Sequence, residues 1–165
     1  MQIAIISDTH MPRGGRRLPP DCLARLAAAD LIVHAGDLCT PALLRELEAL
    51  NPVVAVRGNV DDAQLQRLLP ETAVLGLPDG PEVVVVHDAG PARGRVARLR
   101  ARFPTAAAVV FGHSHLPLQE RAEDGFQIFN PGSPTERRRA PAHTMGVANV
   151  AGGRIELALI DVGSE

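Results

Sequence analysis

Five short apolar runs in this chain end alike, each opening directly onto side chains that can bind a cation. Residues 3–6 lead into Ser7-Asp8-Thr9-His10, and residues 31–33 lead into His34-Ala35-Gly36-Asp37. Residues 53–56 lead into Arg57-Gly58-Asn59, residues 83–86 into His87, and residues 109–111 into Gly112-His113-Ser114-His115. Runs of this length, rich in Val and Ile, have the character of buried strands. Open α/β sheets bind ligands beyond the carboxyl ends of their strands. Neighbouring strands lie ~4.8 Å apart, so several exits can converge on one small volume.

The segments between these runs read as helices over residues 20–29, 40–50, 61–69 and 91–102. Thr40 can cap the second, Pro41 suits its first turn, and Pro70 closes the third. Later in the chain the pattern turns to hairpins. Strands over 73–77 and 82–86 flank Asp79-Gly80, those over 117–121 and 126–130 flank Asp124-Gly125, and those over 144–150 and 154–160 flank Gly152-Gly153. Alternation first and hairpins later predict an α/β layered sandwich, largely parallel in its first half and antiparallel in its second.

A chain of 165 residues supports one domain with a real core and not two, so residues 1–165 are read as a single domain. The net charge of -2 creates no general field for nucleic acid or an anionic membrane. Affinity for phosphate must then come from a local site. With no Trp or Tyr, a stacking platform for nucleic acid is not expected either. Cys22 and Cys39 are isolated and read as small buried hydrophobes, which fits a reducing cytoplasm. The first six residues lack a signal-peptide pattern, and no apolar stretch approaches the ~18 residues of a membrane span. A homo-oligomer is left open.

Asp8, His10, Asp37, Asn59, His87, His113 and His115 offer only nitrogen and oxygen. That set suits Mn²⁺, Fe²⁺, Zn²⁺ or Ni²⁺ better than a thiolate-type structural zinc site. Seven donors exceed one tetrahedral ion and suit two ions ~3.5–4 Å apart, with one carboxylate between them. Asp8/His10 and His113/His115 have i, i+2 spacing, which in extended chain puts both side chains on one side. Gly36, Gly58 and Gly112 each precede a donor and allow close backbone approach. His34 lies within its strand and reads as a structural histidine.

Taken together, Asp8-Thr9-His10, Gly36-Asp37, Gly58-Asn59-Val60-Asp61, His87 and Gly112-His113-Ser114-His115 resemble the calcineurin-like metallophosphoesterase superfamily, from Met1 to about Val150. The short chain and Asn130-Pro131-Gly132-Ser133 narrow the resemblance to its small bacterial and archaeal phosphodiesterase branch, which is related to the vacuolar-sorting subunit of retromer. The resemblance implies a four-layer α/β/β/α sandwich of two mixed sheets flanked by helices. It implies that Asp8, His10 and His115 hold one divalent ion, that Asn59, His87 and His113 hold a second, and that Asp37 bridges them. Asp37, Asn59 and His113 are the residues expected to carry catalysis. Mn²⁺ is the first expectation, with Ni²⁺, Fe²⁺, Zn²⁺ and Mg²⁺ as alternatives.

The chemistry so implied is hydrolysis of a small phosphodiester by a hydroxide generated between two ions. A phosphomonoesterase on the same site, or a retromer-type scaffold with weak catalysis, are the alternatives. Many relatives carry histidine where this chain has Val60, a side chain that cannot carry a proton to the leaving group. Many also carry glycine at Asp88, which here could orient a ligand histidine or simply face solvent. Asn130, Gly132 and Ser133 are expected to contact the substrate. Arg137-Arg138-Arg139, and one of Arg13, Arg16 and Arg17, could attract its charge. The arginines at 93, 95, 98, 100 and 102 are expected mostly on the solvent face of their helix.

Overall fold

Alternate residues of each strand face opposite ways, and the apolar runs of this chain are apolar on both faces. Such strands need cover on each side. The computed structural model, which describes residues 1–77 and 80–163, shows how that cover is built. In chain order the elements are β1 (Gln2–Ile6), a 3₁₀ turn (Arg13–Gly15), α1 (Pro20–Ala28), β2 (Leu31–His34), α2 (Pro41–Glu48), β3 (Val53–Ala55) and α3 (Ala63–Leu68). There follow β4 (Thr72–Leu75), β5 (Val83–Val86), α4 (Arg95–Arg102), β6 (Ala108–Val110), β7 (Leu118–Arg121), β8 (Gln127–Asn130), β9 (Thr144–Ala151) and β10 (Arg154–Asp161).

Two five-stranded sheets result, ordered β10-β9-β1-β2-β3 and β4-β5-β6-β8-β7. Ile3, Ile5 and Val33 of the first sheet, with Val56 just past β3, pack against Val83, Val85, Val110 and Phe129 of the second, forming the central core. The opposite face of the first sheet, with Ala4, Ile6 and Ile32, is covered by Cys22 and Leu26 of α1, Leu43, Leu44 and Leu47 of α2, and Leu65 of α3. The outer face of the second, with Val84, Val86, Val109 and Ile128, is covered by Leu99 of α4. Four layers follow, α/β/β/α, with both sheets mixed.

The division into a parallel half and an antiparallel half does not hold. β5, β6 and β8 are parallel neighbours, and the antiparallel β9–β10 hairpin returns to the first sheet to pair with β1. β1 would otherwise be an open edge, and the hairpin satisfies its backbone groups. α2 begins at Pro41 as expected, but the Thr40 side chain makes no capping bond. α3 is capped by Asp62, whose carboxylate accepts from the N–H groups of Gln64 and Leu65 at 3.0 and 2.9 Å. The turn assigned to Asp79-Gly80 falls partly outside the described residues. Among the described residues no helix is long and apolar enough to cross a membrane.

Candidate metal centre

The seven donor residues leave five strand ends: β1 for Asp8 and His10, β2 for Asp37, β3 for Asn59, β5 for His87, and β6 for His113 and His115. β1, β2 and β3 are adjacent parallel strands, as are β5 and β6, so their exits gather at one end of the sandwich. The turns there are tight. Asp8, His10, Asp37, His113 and His115 all lie in the left-handed region, with φ of 55°, 47°, 62°, 69° and 59°. Asp and His tolerate it better than most residues, and such strain gathers at functional sites. The glycines make room: a Cβ on Gly58 would overlap the Asp37 carboxylate, and one on Gly112 would overlap Ser7 Oγ and Asp8 Oδ2.

Two contiguous clusters form. In the first, His10 Nε2 stands 3.1 Å from His115 Nε2, and His115 Nε2 stands 3.5 Å from Asp8 Oδ1. In the second, Asn59 Oδ1 is met by His87 Nε2 at 3.1 Å and His113 Nδ1 at 3.0 Å. Asp37 lies between them, its Oδ2 at 3.6 Å from His10 Nε2 and 3.4 Å from His87 Nε2. Two buried trios place their donor atoms within 4.8 Å of one another: Asp8, His10 and His115, and Asp8, Asp37 and His87. Asp8 is common to both trios, so either aspartate can reach across the centre.

Backbone groups orient these side chains. His87 Nδ1 donates to the Ala35 carbonyl at 2.8 Å and His115 Nδ1 to the Glu136 carbonyl at 2.6 Å, which turns both Nε2 atoms inward; that of His115 offers its lone pair, and that of His87 does so once its second proton leaves. The lone pair of His115 then points at His10 Nε2, an arrangement that a cation between them would satisfy. The Asp8 carboxylate accepts from the Ser7 hydroxyl at 2.7 Å and from the His113 N–H at 3.0 Å. Asp37 Oδ1 accepts the Val60 N–H at 3.0 Å. Val60 thus serves the site through its backbone.

Burial and ion pairing set the charges. Burial raises the Asp8 carboxyl to about 7. It lowers His10, and it takes His115 down to about 4, so both rings are neutral as ligands must be. Burial also opposes charge on His87 and Asp37, but their mutual attraction outweighs it. Asp37 is held below the ordinary carboxylate range and His87 rises to about 9.

Sequence reasoning placed Asp61 in the Gly58-Asn59-Val60-Asp61 motif and at a helix start but gave it no role at the site. Its two carboxylate oxygens accept separate backbone N–H groups, from Cys39 and Gly58, both at 2.7 Å, and so tie the β2 exit to the β3 exit. Its signal was the pair Asp61-Asp62, of which only the second caps the helix. Asp61→Asn is expected to cost on the order of 2 kcal/mol, because an amide offers one acceptor where two are needed. Urea unfolding of the metal-free protein measures this, and a loss under about 0.5 kcal/mol would contradict the clamp.

The remaining candidates divide: His34 is structural as expected, Asp88 takes the solvent-facing one of its two readings, and Asn130 and Ser133 turn inward. The Asn130 amide donates to the Gly112 carbonyl and Ser114 Oγ, and its Oδ1 accepts from the Gly132 N–H. The Ser133 hydroxyl donates to the Asp8 carbonyl. Asn130 and Ser133 are buried beneath the centre, and their polar atoms are engaged there. Asp88 is exposed and accepts the N–H of Gly90, closing a turn. His34 is fully buried with Nε2 on Thr9 Oγ1 at 3.0 Å, apart from both clusters. Arg93, Arg98 and Arg102 are exposed, as expected of a solvent face, while Arg95 and Arg100 are half-buried; Arg95, Arg98 and Arg100 also donate to backbone carbonyls of flanking loops. Arg137 donates likewise to the Ala140 carbonyl.

The profile of the "Calcineurin-like phosphoesterase superfamily domain" matches residues 1–153. The chain belongs to that superfamily. The "Probable metallophosphoesterase" of Methanothermobacter thermautotrophicus is 33% identical over 172 residues, covering 99% of this chain and 94% of that relative. In fold, this calcineurin-like chain is similar to zinc-complexed Vps29 of Entamoeba histolytica (TM-score 0.76, 21% identity, 99% of this chain and 100% of that one). It is similar also to a structure described as a novel archaeal phosphodiesterase (TM-score 0.72, 19% identity, 97% of this chain and 100% of that one). As a metallophosphoesterase relative the chain is expected to bind divalent metal and act on phosphate esters. A cleft of about 490 Å³, lined by Arg57, Asn59, Gln66, Thr72, His87 and Arg102, opens beside the second cluster.

Proposed function

We propose that this chain is a divalent-metal-dependent phosphodiesterase with a dinuclear centre. The observation that carries the reading is the convergence of seven nitrogen and oxygen donors in two contiguous clusters, with the tautomers of His87 and His115 preset by carbonyls. Asp8, His10 and His115 would hold one ion and Asn59, His87 and His113 the other, with Asp37 shared. Two bound ions would supply Lewis acidity and a water acidic enough to act as nucleophile near neutral pH.

The chain's own groups do the rest. Ser7 and the His113 N–H hold the Asp8 carboxylate still, and the Val60 N–H does the same for Asp37. Such preorganisation avoids rearrangement as charge develops on phosphorus. His113 is the one exposed histidine of the set, which suits it to meet the entering ester. Asn130 braces the loop that carries His113 and His115, the Gly132 N–H donates to Asn130 Oδ1, and Ser133 holds the Asp8 carbonyl, so the polar side chains of this segment act as supports. No side chain at Val60 can protonate a leaving alkoxide, which favours diesters with good leaving groups over monoesters. Mn²⁺ is our first choice of metal on ligand chemistry.

The test strips the protein of metal, adds back Mn²⁺, Ni²⁺, Zn²⁺ or Mg²⁺, and assays bis-p-nitrophenyl phosphate beside p-nitrophenyl phosphate. Metal-dependent turnover with the diester ahead is expected. Absence of turnover with every metal would sink the hydrolase reading, and a faster monoester would reverse the substrate order.

Metal uptake should also release protons. Below about 9 His87 holds a proton, and below about 7 so does Asp8; a cation must displace each. Apparent Mn²⁺ affinity is therefore expected to rise with pH. Calorimetry in buffers of different ionisation enthalpy should find more protons released at pH 6 than at pH 8. An affinity independent of pH across that range would contradict the charge states assigned.

A further inference from the structure

Glu136 meets the centre twice. Its carbonyl accepts the His115 Nδ1–H bond, and its side chain turns back until Oε2 stands 3.8 Å from His10 Nε2. That separation continues the series among the first-cluster donors, which runs 3.1, 3.5 and 3.6 Å. The other oxygen, Oε1, faces Arg16 at 3.2 Å and Arg138 at 3.9 Å. The placement is built from below. The Glu136 N–H donates to Ser133 Oγ at 2.9 Å, and that hydroxyl donates to the Asp8 carbonyl at 2.8 Å. From the other side Arg16, in the loop after β1, is tethered by its own bond to the Arg13 carbonyl at 2.8 Å.

Of the centre's histidines only His10 lies within ion-pair reach of Glu136. The carboxylate therefore stands at the rim of the first cluster, close enough to add its field to a cation held there. A lone rim carboxylate would repel an anionic ester. Here two guanidinium groups share it, so the rim keeps a net positive charge. The Glu136 and Arg16 side chains are each 27% exposed, so an entering ligand can reach the pair while water screens it only in part.

We propose that Glu136 and Arg16 work as one unit on the His10 side of the centre. Glu136 strengthens the hold on the cation through its charge, and its other oxygen aims Arg16 as an N–H donor to a non-bridging oxygen of the phosphate. This rests on the phosphoesterase reading above, but it is tested without turnover. Mn²⁺ binding is measured by calorimetry on metal-stripped wild type, Glu136→Gln, Arg16→Ala and Arg16→Lys. Inorganic phosphate binding is then measured on the Mn²⁺-loaded forms.

Glu136→Gln keeps the side-chain shape and is expected to weaken one of the two Mn²⁺ affinities about tenfold while sparing the other. Arg16→Ala is expected to leave both Mn²⁺ affinities within about twofold and to weaken phosphate about tenfold, with Arg16→Lys recovering only part, since a lysine ammonium lacks the guanidinium fork. Unchanged Mn²⁺ binding in Glu136→Gln, or unchanged phosphate binding in Arg16→Ala, overturns the unit. If both shifts appear but the wild type hydrolyses no ester, the hydrolase reading falls and the unit stands.

Discussion

Replacing Asp37 with alanine is expected to lower Mn²⁺-dependent diester hydrolysis by on the order of 10³-fold or more. Asp37 Oδ2 faces His10 of one cluster and His87 of the other, so its loss loosens both at once. A second readout does not depend on turnover. His87 stands at about 9 because its attraction to Asp37 outweighs burial. Without that carboxylate, burial disfavours the charged ring and its titration should move downward, visible by NMR in the metal-free protein. Asp37→Asn should behave like alanine in both respects, since the amide can still accept the Val60 N–H but carries no charge. Hydrolysis that survived either substitution would assign the activity to something other than this centre.

The second large effect is expected at a residue with no side chain. A Cβ on Gly112 would overlap Ser7 Oγ and Asp8 Oδ2 and crowd the Ala35 carbonyl. Ser7, Asp8 and Ala35 are fully buried, so none can yield cheaply. Gly112→Ala is expected to destabilise by about 3 kcal/mol and to lose tight Mn²⁺ binding. Gly58→Ala should act likewise through Asp37, whose carboxylate and backbone N its Cβ would strike. Gly76 is the matched control: a Cβ there meets nothing within 4 Å among the described residues, so Gly76→Ala should change stability by less than about 0.5 kcal/mol. Thermal unfolding and metal titration of the three variants check this. A Gly112→Ala protein as stable and metal-competent as the Gly76→Ala control would show that the close approach is not needed.

Much of this was legible because two periodicities coincide. Runs such as residues 83–86 can only be buried strands, and a buried strand must return to polar chemistry at its end. His87 and the other donors therefore stood out by position. The glycines before Asp37, Asn59 and His113 were readable for the same reason. Less legible was anything decided by which way a loop turns. Asn130 and Ser133 have the chemistry of phosphate contacts, yet their loop faces down into the fold, where they hold the backbone of the β6 exit and of Asp8. Asp61 and Glu136 each stand beside another polar residue with a commoner explanation, so their bonds to distant segments leave no local trace. The parallel pairing of β8 with β6 was hidden similarly: the Asp124-Gly125 hairpin joins antiparallel β7 and β8 as its turn residues imply, but a hairpin does not say which strand its other edge will meet.

The donors do not all come from one sheet. Asp8, His10, Asp37 and Asn59 leave the first sheet, while His87, His113 and His115 leave the second. Two layers held together along their length by apolar packing are thus joined at one end by a clasp of polar groups. Any ion gripped by both sets would act as a rivet through that clasp, and its affinity would register how the layers are seated. A change deep in the interlayer core, at Phe129 or Val110 for instance, would then be felt at the clasp without touching a single ligand.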